Sequence, residues 1–317
     1  MNKALQAPRR AYDIKLSLWQ RIWKYKAFYI FLLPAIIWYA VFNYYPMYGV
    51  LIAFKNFKFN LGILGSEWVG MRYFNNFLKD PYFWTIVKNT LVISVLKLFC
   101  GFPAPIILAL FINEMRSVRY KKVVQTLSYL PHFVSWVVVV ALMTKLLSPN
   151  NGAINELRQA INPNATPVFY LGEPGWFYPI VVLSDVWKNV GWGSIIYLAA
   201  LTAIDPELYE ASELDGANRW QKMRHITLPG IYPTIGILMI LSLSGILNAG
   251  FDQIYLIQKP STLHLSEILD TYVLKRGLQQ GQFSYSTAVG IFRSVVSMIL
   301  IVTVNGISRR LSDISLW

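Results

Sequence analysis

The chain has 317 residues, of which 55% are hydrophobic and only 14% are charged. Soluble domains carry about 25% charged residues, so this composition excludes an ordinary soluble domain and indicates a membrane protein. The net charge is +13, yet the basic residues lie between apolar runs, which favours lipid headgroups rather than nucleic acid as their partner. The single cysteine, Cys100, excludes an intrachain disulfide and a cysteine metal cluster.

The N-terminal segment 1–26 carries seven Lys or Arg residues and no apolar core, so we expect it to stay in the cytoplasm. It does not resemble a cleavable signal, because the apolar run that follows is too long and lacks a small-residue cleavage site. Within it, residues 16–26 place Leu, Ile and Trp among basic side chains, which is typical of an amphipathic helix on a membrane surface. A plain basic flank is the alternative.

Six apolar segments follow, each long enough to cross a hydrocarbon core of about 30 Å as a helix. Asp185 and Lys188 interrupt the fourth, Arg293 interrupts the sixth, and Pro103 and Pro105 are expected to break the second. The six spans are predicted at 27–46, 84–112, 123–144, 177–203, 231–250 and 288–307.

The charges of the connecting segments predict the orientation of the chain. Sixteen Lys and Arg residues lie in the four segments that are inside if the N-terminus is cytoplasmic, and nine lie in the three longer outer segments. Because cytoplasmic loops carry the excess of basic residues, both termini are predicted to be cytoplasmic. The layout is a basic N-terminus (1–26), a six-helix domain (27–307) and a C-terminal tail (308–317) in a multi-pass protein of the cell membrane. The outer segments either receive an external partner or are plain connectors.

The inner loop 205–229 is polar and charged, although it joins two long apolar segments. Asp205-Pro206 predicts a helix start, and Gly216 predicts a left-handed helix end. A second short helix is predicted over 218–224, and Leu228-Pro229-Gly230 is expected to stop it. The result is a helix–turn–helix that another protein can approach; a solvated turn with acidic caps is the alternative.

The same loop contains a spaced motif, which reads Glu210-Ala211-Ser212, three residues, Gly216, nine residues and Ile226-x-Leu228-Pro229. This motif resembles the loop signature of binding-protein-dependent ABC importer permeases (the MalF or type I family), with Ser212 in place of the more usual Ala. From about residue 27 to the end, the chain also resembles the LplB-like oligosaccharide and polysaccharide permeases of Gram-positive bacteria. The matching phrases are Tyr45-Pro46-Met47-Tyr48-Gly49, Pro103-Ala104-Pro105-Ile106, Tyr129-Leu130-Pro131-His132-Phe133, Gly191-Trp192-Gly193-Ser194, Asp270-Thr271-Tyr272-Val273 and Ser315-Leu316-Trp317.

The resemblance implies an all-α membrane fold of six helices and a coupling helix in the loop, which fits a cleft of a cytoplasmic ATPase. It also implies four partners: a second permease, an ABC ATPase dimer that binds ATP and Mg, an extracytoplasmic sugar-binding lipoprotein and an oligosaccharide. The chain itself lacks the phosphate loop G-x-x-x-x-G-K-[ST], so no cofactor of its own is expected. The implied coupling residues are Glu210, Ala211, Ser212, Asp215, Gly216, Ala217, Leu228 and Pro229.

Polar residues at membrane depth predict the substrate pathway, because such residues usually face a bundle interior or a water-filled cavity. Asp185 and Lys188 are three apart on one helix face and are expected to pair. A sugar needs hydrogen-bonding side chains for its hydroxyls and a flat aromatic face for its ring. In the family resembled, the helices before and after the loop line a central cavity. The alternative is that Asp185 and Lys188 form an ion pair with a purely structural role. The pathway residues are Asp185, Lys188, Asn189, Trp192, Ser242 and Asn248.

Other polar residues give weaker signals. Lys97 is expected to face the cavity or a partner permease, whereas Lys88 and Arg293 lie near enough to the outer edge for their side chains to reach it. The histidines at 132, 225 and 264 lack metal-ligand spacing, and no Ser-His-Asp arrangement is present, so no metal site or catalytic residue is predicted.

The alternative function is an integral membrane enzyme acting on lipid-linked sugars. It requires converging acidic residues, and the acidic cluster between Asp205 and Asp215 has helical spacing that does not converge on one point. An ion channel would need a repeated filter sequence, which the chain lacks.

Overall fold

The computed structural model of the protein describes residues 17–311, most of which lie in helices. Residues 1–16 of the predicted basic N-terminus and residues 312–317 of the predicted tail, including the phrase 315–317, lie outside the described residues. The chain divides between Leu51 and Ile52 into an N-terminal unit and a main unit.

The N-terminal unit contains two helices, α1 (Leu18–Lys24) and α2 (Lys26–Tyr39). A π-helical turn (Ala40–Tyr44) and a 3₁₀ segment (Tyr45–Phe54) continue α2 into the main unit. The ammonium of Lys26 lies 5.3 Å from the centre of the Trp23 ring. This is a cation–π contact, and the placement of residues 16–26 on a membrane surface stays a prediction.

The main unit begins with short elements that precede its long helices. Strands β1 (Lys55–Asn56) and β2 (Glu67–Trp68) pair antiparallel, with Lys55 opposite Trp68. Helix α3 (Gly62–Gly65) lies between the strands, and α4 (Arg72–Leu78) follows them. These elements occupy the first predicted outer segment.

The second predicted span is continuous and the third is bent. Helices α5 (Phe83–Gly101) and α6 (Pro103–Asn113) are separated by Phe102 alone, which keeps helical dihedral angles, and together they form one stretch of 31 residues, so the prolines do not divide this span as predicted. Helices α7 (Val118–Phe133) and α8 (Trp136–Leu146) meet at an angle of 100°, so a straight third span was wrong. Val134 and Ser135 are extended there, and the Ser135 hydroxyl accepts a hydrogen bond from the Val138 N–H at 3.4 Å as the N-cap of α8.

Helix α10 (Pro174–Thr202) is the centre of the main unit, and α9 (Ala153–Ile161) precedes it. It packs against α5, α6, α7 and α13 (Leu228–Ser244). Its buried side chains belong to two apolar cores: Phe177 and Val181 pack near one end, and Tyr197 and Leu201 pack near the other. A third core joins α4 and α5 to the C-terminal helices.

The inner loop forms helices α11 (Pro206–Leu214) and α12 (Arg219–Lys222). The predicted stop at 228–230 was wrong, because a π-helical turn (Met223–Thr227) joins α12 directly to α13. In this turn the Leu228 N–H bonds to the carbonyl of Met223, five residues earlier. The π-helical turn has more residues per turn than an α-helix and leaves more room before Pro229. The proline ring and the missing N–H of Pro229 are therefore tolerated at the start of α13.

The last predicted outer segment folds into short helices before the final long helix. These are α14 (Phe251–Ile257), a 3₁₀ turn (Pro260–Thr262), α15 (Leu263–Ser266), α16 (Leu269–Leu274), a π-helical turn (Lys275–Gln279) and α17 (Phe283–Leu311). Asn89 of α5 donates hydrogen bonds to the carbonyls of His264 and Glu267, at 2.9 and 3.1 Å, and so holds this segment on α5.

Within residues 17–311, four helical stretches are long and apolar enough to cross a membrane, and the bent pair α7–α8 adds a fifth if it counts as one span. Helix α10 has 29 residues, or roughly 43 Å at 1.5 Å per residue, but Asp185 and Lys188 make it more polar. The count of six spans therefore stays a prediction. The four stretches are Lys26–Phe54, Phe83–Asn113, Arg219–Ser244 and Phe283–Gly306.

Candidate functional site

A cavity of about 530 Å³ lies among α5, α6, α10 and α13, and we call it the central cavity. Five of the six predicted pathway residues line it: Asp185, Asn189, Trp192, Ser242 and Asn248. Its lining combines amide, hydroxyl and carboxylate groups with an indole face. This is the chemistry that the sequence predicted for a sugar.

Lys97 provides the positive charge of the central cavity. Its ammonium lies 3.3 Å from the Asp185 carboxylate and donates a hydrogen bond to the carbonyl of Ala249 at 2.8 Å. It also donates to the side chain of Gln253, which in turn bonds to α10. The expectation that Lys97 faces the cavity is confirmed, and Lys97 joins α5, α10 and the segment before α14 at one point.

The predicted pairing of Asp185 with Lys188 was wrong. Asp185 pairs with Lys97, and Lys188 does not line the central cavity. The Lys188 ammonium is buried and donates to three carbonyls at the bend between α7 and α8. A helix break leaves backbone carbonyls without their helical donors. The ammonium of Lys188 has three N–H donors and can bond to three of these carbonyls at once, whereas Asp185 could accept hydrogen bonds from only part of these donors. The acceptors are Pro131 at 3.2 Å, His132 at 2.7 Å and Val134 at 2.6 Å.

The bend also places His132 beside the site, although the sequence suggested only an isolated structural histidine. Its ring stacks on the Trp192 indole, with the centroids 4.7 Å apart and the planes 3° apart. Its Nδ1 lies 3.2 Å from the Asn189 side-chain oxygen. His132 therefore fixes two of the residues that line the cavity. Pro131 and Ser135 are the sequence signal that predicts such a break.

One hydroxyl at the cavity wall has no partner in the described part of the chain. Ser94 of α5 is buried and lines the central cavity, and its Oγ makes no hydrogen bond within residues 17–311. Buried hydroxyls are normally bonded, so an unpaired one at a cavity wall is available to a polar ligand.

The inner loop has the local geometry that its sequence predicted. The Asp205 side chain accepts a hydrogen bond from the Glu207 N–H at 3.0 Å, and Pro206 begins α11. Gly216 ends it in the left-handed conformation, with φ of 75°. The Ala217 N–H then returns to the Ser212 carbonyl at 2.9 Å, which closes the turn.

Two side-chain contacts hold the loop together as one body. The Tyr209 hydroxyl of α11 lies 3.0 Å from the Thr227 hydroxyl of the π-helical turn. The Lys222 ammonium lies 2.6 Å from the Glu213 carboxylate, and this hydrogen bond and charge hold the pKa of Glu213 below its usual value. These contacts link α11 to α12 and to the turn that leads into α13.

Large apolar side chains on this loop face outward. Leu208, Leu214 and Trp220 are 53%, 91% and 68% exposed. The predicted coupling residues divide into an exposed set and a partly buried set. The exposed ones are Glu210, Ala211, Asp215, Gly216 and Pro229, and the partly buried ones are Ser212, Ala217 and Leu228. An exposed apolar group rimmed by charged residues is the usual form of a protein interface.

Residues 101–313 match the family described as binding-protein-dependent transport system inner membrane component. The chain belongs to this family. The match covers both the loop and three of the four helices that line the central cavity. We therefore call the protein the permease below.

Two curated proteins of Bacillus subtilis strain 168 are similar over nearly their whole length. The permease is 46% identical to the polygalacturonan/rhamnogalacturonan transport system permease protein YteP, over 91% of its own residues and 89% of those of YteP. It is 44% identical to the protein LplB, over 92% of its own residues and 91% of those of LplB.

A solved structure is similar to the permease in both sequence and fold. It is the crystal structure of a bacterial ABC transporter involved in the import of the acidic polysaccharide alginate. The matched chain is 42% identical, with a TM-score of 0.85, and the match covers 93% of the permease and 99% of that chain. A second crystal structure holds the alginate transporter in complex with an alginate pentasaccharide-bound periplasmic protein, at 41% identity, a TM-score of 0.85 and coverage of 94% and 99%.

A polar cluster that the sequence did not predict lies in the segments predicted to be outside the membrane. Asp80 accepts hydrogen bonds from the hydroxyls of Tyr272 and Tyr285, at 2.7 and 2.8 Å, and the Arg276 guanidinium lies 3.8 Å away. Burial raises the pKa of the Asp80 carboxyl, but these hydrogen bonds, the Tyr82 N–H and Arg276 outweigh burial and hold that pKa below its usual value. Asp80 is therefore ionised at neutral pH.

Arg293 pairs with Asp270 of α16, a partner that the sequence did not suggest. Lys88 is exposed. Within residues 17–311, no three His, Cys, Asp or Glu side chains are arranged to hold a metal ion.

Proposed function

We propose that the permease is the transmembrane subunit of an ATP-driven importer of oligosaccharides or polysaccharide fragments. One observation carries the proposal: α10 and α13 both line the central cavity, and the inner loop of the family signature joins them. A protein that moves this loop therefore moves two walls of the cavity. The saccharide class is supported by the cavity lining and by the names of YteP and the alginate transporter.

We propose that four kinds of partner complete the transporter. A second, homologous permease closes the central cavity. A dimer of ABC ATPases binds ATP and Mg and contacts the coupling residues 210–217 and the exposed side chains beside them. An extracytoplasmic binding protein, anchored as a lipoprotein, delivers the sugar to the outer segments. The complex of the alginate transporter with a periplasmic protein supports the last of these.

The proposed cycle couples ATP binding to access from outside. Closure of the ATPase dimer draws the coupling loops together, and the rigid contacts of Tyr209 with Thr227 and of Glu213 with Lys222 carry this displacement into α13. The cavity then opens outward and receives the sugar, and hydrolysis returns it to the inward-open state. Lys188 does not touch the sugar but holds the bend beside the residues that do. The residues that contact the sugar are Asp185, Asn189, Trp192, Ser242 and Asn248.

The proposed topology has six spans with cytoplasmic termini, α10 being the fourth span and α7–α8 a bent third span. Cys100 allows a direct test, since it is the single cysteine of the chain. In a Cys100→Ser background, we expect Asn151→Cys to react with a membrane-impermeant maleimide added outside intact cells, and Trp220→Cys to react only after lysis. Labelling of Trp220→Cys in intact cells would contradict the topology.

Saccharide uptake tests the proposed function. The permease with its partner permease, ATPases and binding protein should accumulate labelled oligosaccharide in liposomes that contain ATP, and not in liposomes that contain a non-hydrolysable analogue. Uptake that is independent of ATP would contradict the proposal. The membrane-enzyme alternative predicts a chemically altered sugar instead, and neither the family nor the relatives favour it.

A further inference from the structure

Three cavities of the main unit lie next to one another in a series. The central cavity shares Asn248 with a cavity of about 570 Å³ beside α16 and α17, which we call the middle cavity. The middle cavity shares Phe283 with one of about 400 Å³ among β1, α4 and the start of α17, which we call the outer cavity. A residue on the wall of two cavities makes them neighbours, so the series leads from the outer segments to the central cavity.

Each cavity carries one cation that is paired with one aspartate. The pairs are Arg276 with Asp80 in the outer cavity, Arg293 with Asp270 in the middle cavity and Lys97 with Asp185 in the central cavity. The described residues contain two further ion pairs, Lys275 with Glu267 and Lys222 with Glu213, and neither lines this series. The cation–aspartate pairs are therefore concentrated along the cavities.

The three cations keep capacity for a ligand. Their side chains are 30%, 29% and 11% exposed for Arg276, Arg293 and Lys97. A guanidinium has five N–H donors; within residues 17–311 Arg276 donates to Tyr272 and Gln280, and Arg293 donates to Asp270. The Asp80 carboxylate is already satisfied by two tyrosine hydroxyls and lies 3.8 Å from Arg276. Lys97 holds the Ala249 carbonyl at 2.8 Å but Asp185 only at 3.3 Å, and it also donates to Gln253, so the Asp185 contact is the weakest of the three and the one that a ligand can share.

Aromatic rings and amides accompany the cations. Phe57 and Tyr285 line the outer cavity, Phe251 and Phe283 the middle cavity, and Trp192 the central cavity. In the outer cavity the side chains of Asn76 and Gln282 make no hydrogen bond with another described residue. The cations can bind carboxylates, the amides can bind hydroxyls, and the rings provide flat faces for a sugar.

The basic residues around the outer cavity add attraction for an anion. Lys55 and Lys58 flank the lining residues Asn56 and Phe57, and Lys79 lies next to Asp80. Positive charge at the mouth of a cleft raises the local concentration of an anionic ligand and the rate at which it enters.

We infer that Arg276, Arg293 and Lys97 are successive carboxylate-binding positions for an acidic, uronate-containing oligosaccharide that passes along these three cavities. The inference rests on the proposed import function. It adds that the substrate is negatively charged and names the residues that bind its carboxylates. At each position a sugar carboxylate joins the aspartate beside the cation, and the aspartate stays in place. Because no existing pair is broken, neither the cation nor the aspartate is left unpaired at membrane depth, which would be costly.

The test compares an oligouronate with its fully methyl-esterified form, because the ester keeps the ring and hydroxyls but removes the charge. Binding of each to the purified pair of permeases, without binding protein, is measured by saturation-transfer NMR. We expect the wild type to bind the acid at least tenfold more tightly than the ester. Arg276→Gln and Arg293→Gln should each lower that ratio about tenfold, since one charge-assisted hydrogen bond is worth roughly that factor.

Charge-retaining and remote variants provide the controls. Arg293→Lys should keep most of the preference for the acid, whereas Arg293→Gln should lose it. Lys88→Gln removes an exposed cation of α5 that lines none of the three cavities and should leave the ratio unchanged.

Three results would overturn the inference. They are equal binding of acid and ester by the wild type, no detectable binding of the acid, and an unchanged ratio in both Gln variants. Weaker docking of the binding protein to Arg276→Gln, with the ratio unchanged, also counts against it. If the wild-type transporter imports saccharide in the liposome assay, these results refute the carboxylate positions alone; if it imports none, the proposed function fails.

Discussion

Gly216→Pro should abolish saccharide uptake while the permease still inserts into the membrane. Gly216 has φ of 75°, whereas proline is restricted to about −65°. Proline would also remove the N–H that bonds to the Glu213 carbonyl at 3.1 Å. The turn between α11 and α12 would open, and the coupling residues on either side would lose their common geometry. We expect uptake in proteoliposomes to fall at least about 100-fold, because coupling depends on one rigid loop.

The matched control is Gly216→Asn. Asparagine adopts the left-handed conformation more readily than most residues, and added atoms at Gly216 meet nothing within 4 Å. Uptake by this variant should stay within a few-fold of wild type. Normal uptake by Gly216→Pro would show that the loop does not couple the partner ATPases to the cavity.

Lys188→Met should destabilise the permease strongly, although the two side chains are similar in length. The substitution leaves the carbonyls of His132 and Val134 without this donor at a partly buried helix break, whereas the Pro131 carbonyl keeps the Val134 N–H. A buried acceptor without a partner costs about 1–3 kcal/mol, so the free energy of unfolding should fall by roughly 3 kcal/mol or more. Thermal unfolding of the purified protein in detergent measures the change.

Lys145→Met is the matched control for this variant. Lys145 is exposed on α8, which continues from the same bend, and its loss should change the free energy of unfolding by less than about 0.5 kcal/mol. Equal stability of Lys188→Met and Lys145→Met would mean that Lys188 does not support the bend between α7 and α8.

The inner loop was predictable because its structure depends on neighbouring residues. Asp205 caps a helix two residues away, and Gly216 meets a requirement of its own backbone. The bend at Val134 also has local signals, in Pro131 and the N-cap Ser135, but the apolar run that contains them hid the break. Apolar length identifies a membrane segment and says little about whether it is straight.

The ion pairs were not predictable because tertiary packing chooses the partners. Spacing along α10 places Asp185 and Lys188 on one face, yet α5 presents Lys97 to the first and the bend of α7 presents carbonyls to the second. Arg276 joins Asp80 across nearly two hundred residues of sequence, and no local rule connects them. Five of the six predicted pathway residues line the central cavity, because polar groups on a membrane helix have few places to go other than a cavity.

The most direct test of the proposed transport function is ATP hydrolysis by the complete transporter in liposomes, with and without its sugar-loaded binding protein. The proposed function predicts that the loaded binding protein stimulates hydrolysis several-fold, that the unloaded protein stimulates it less, and that Gly216→Pro removes the stimulation. If hydrolysis proceeds at one rate whether or not the loaded binding protein is present, the coupling of this loop to sugar import is contradicted.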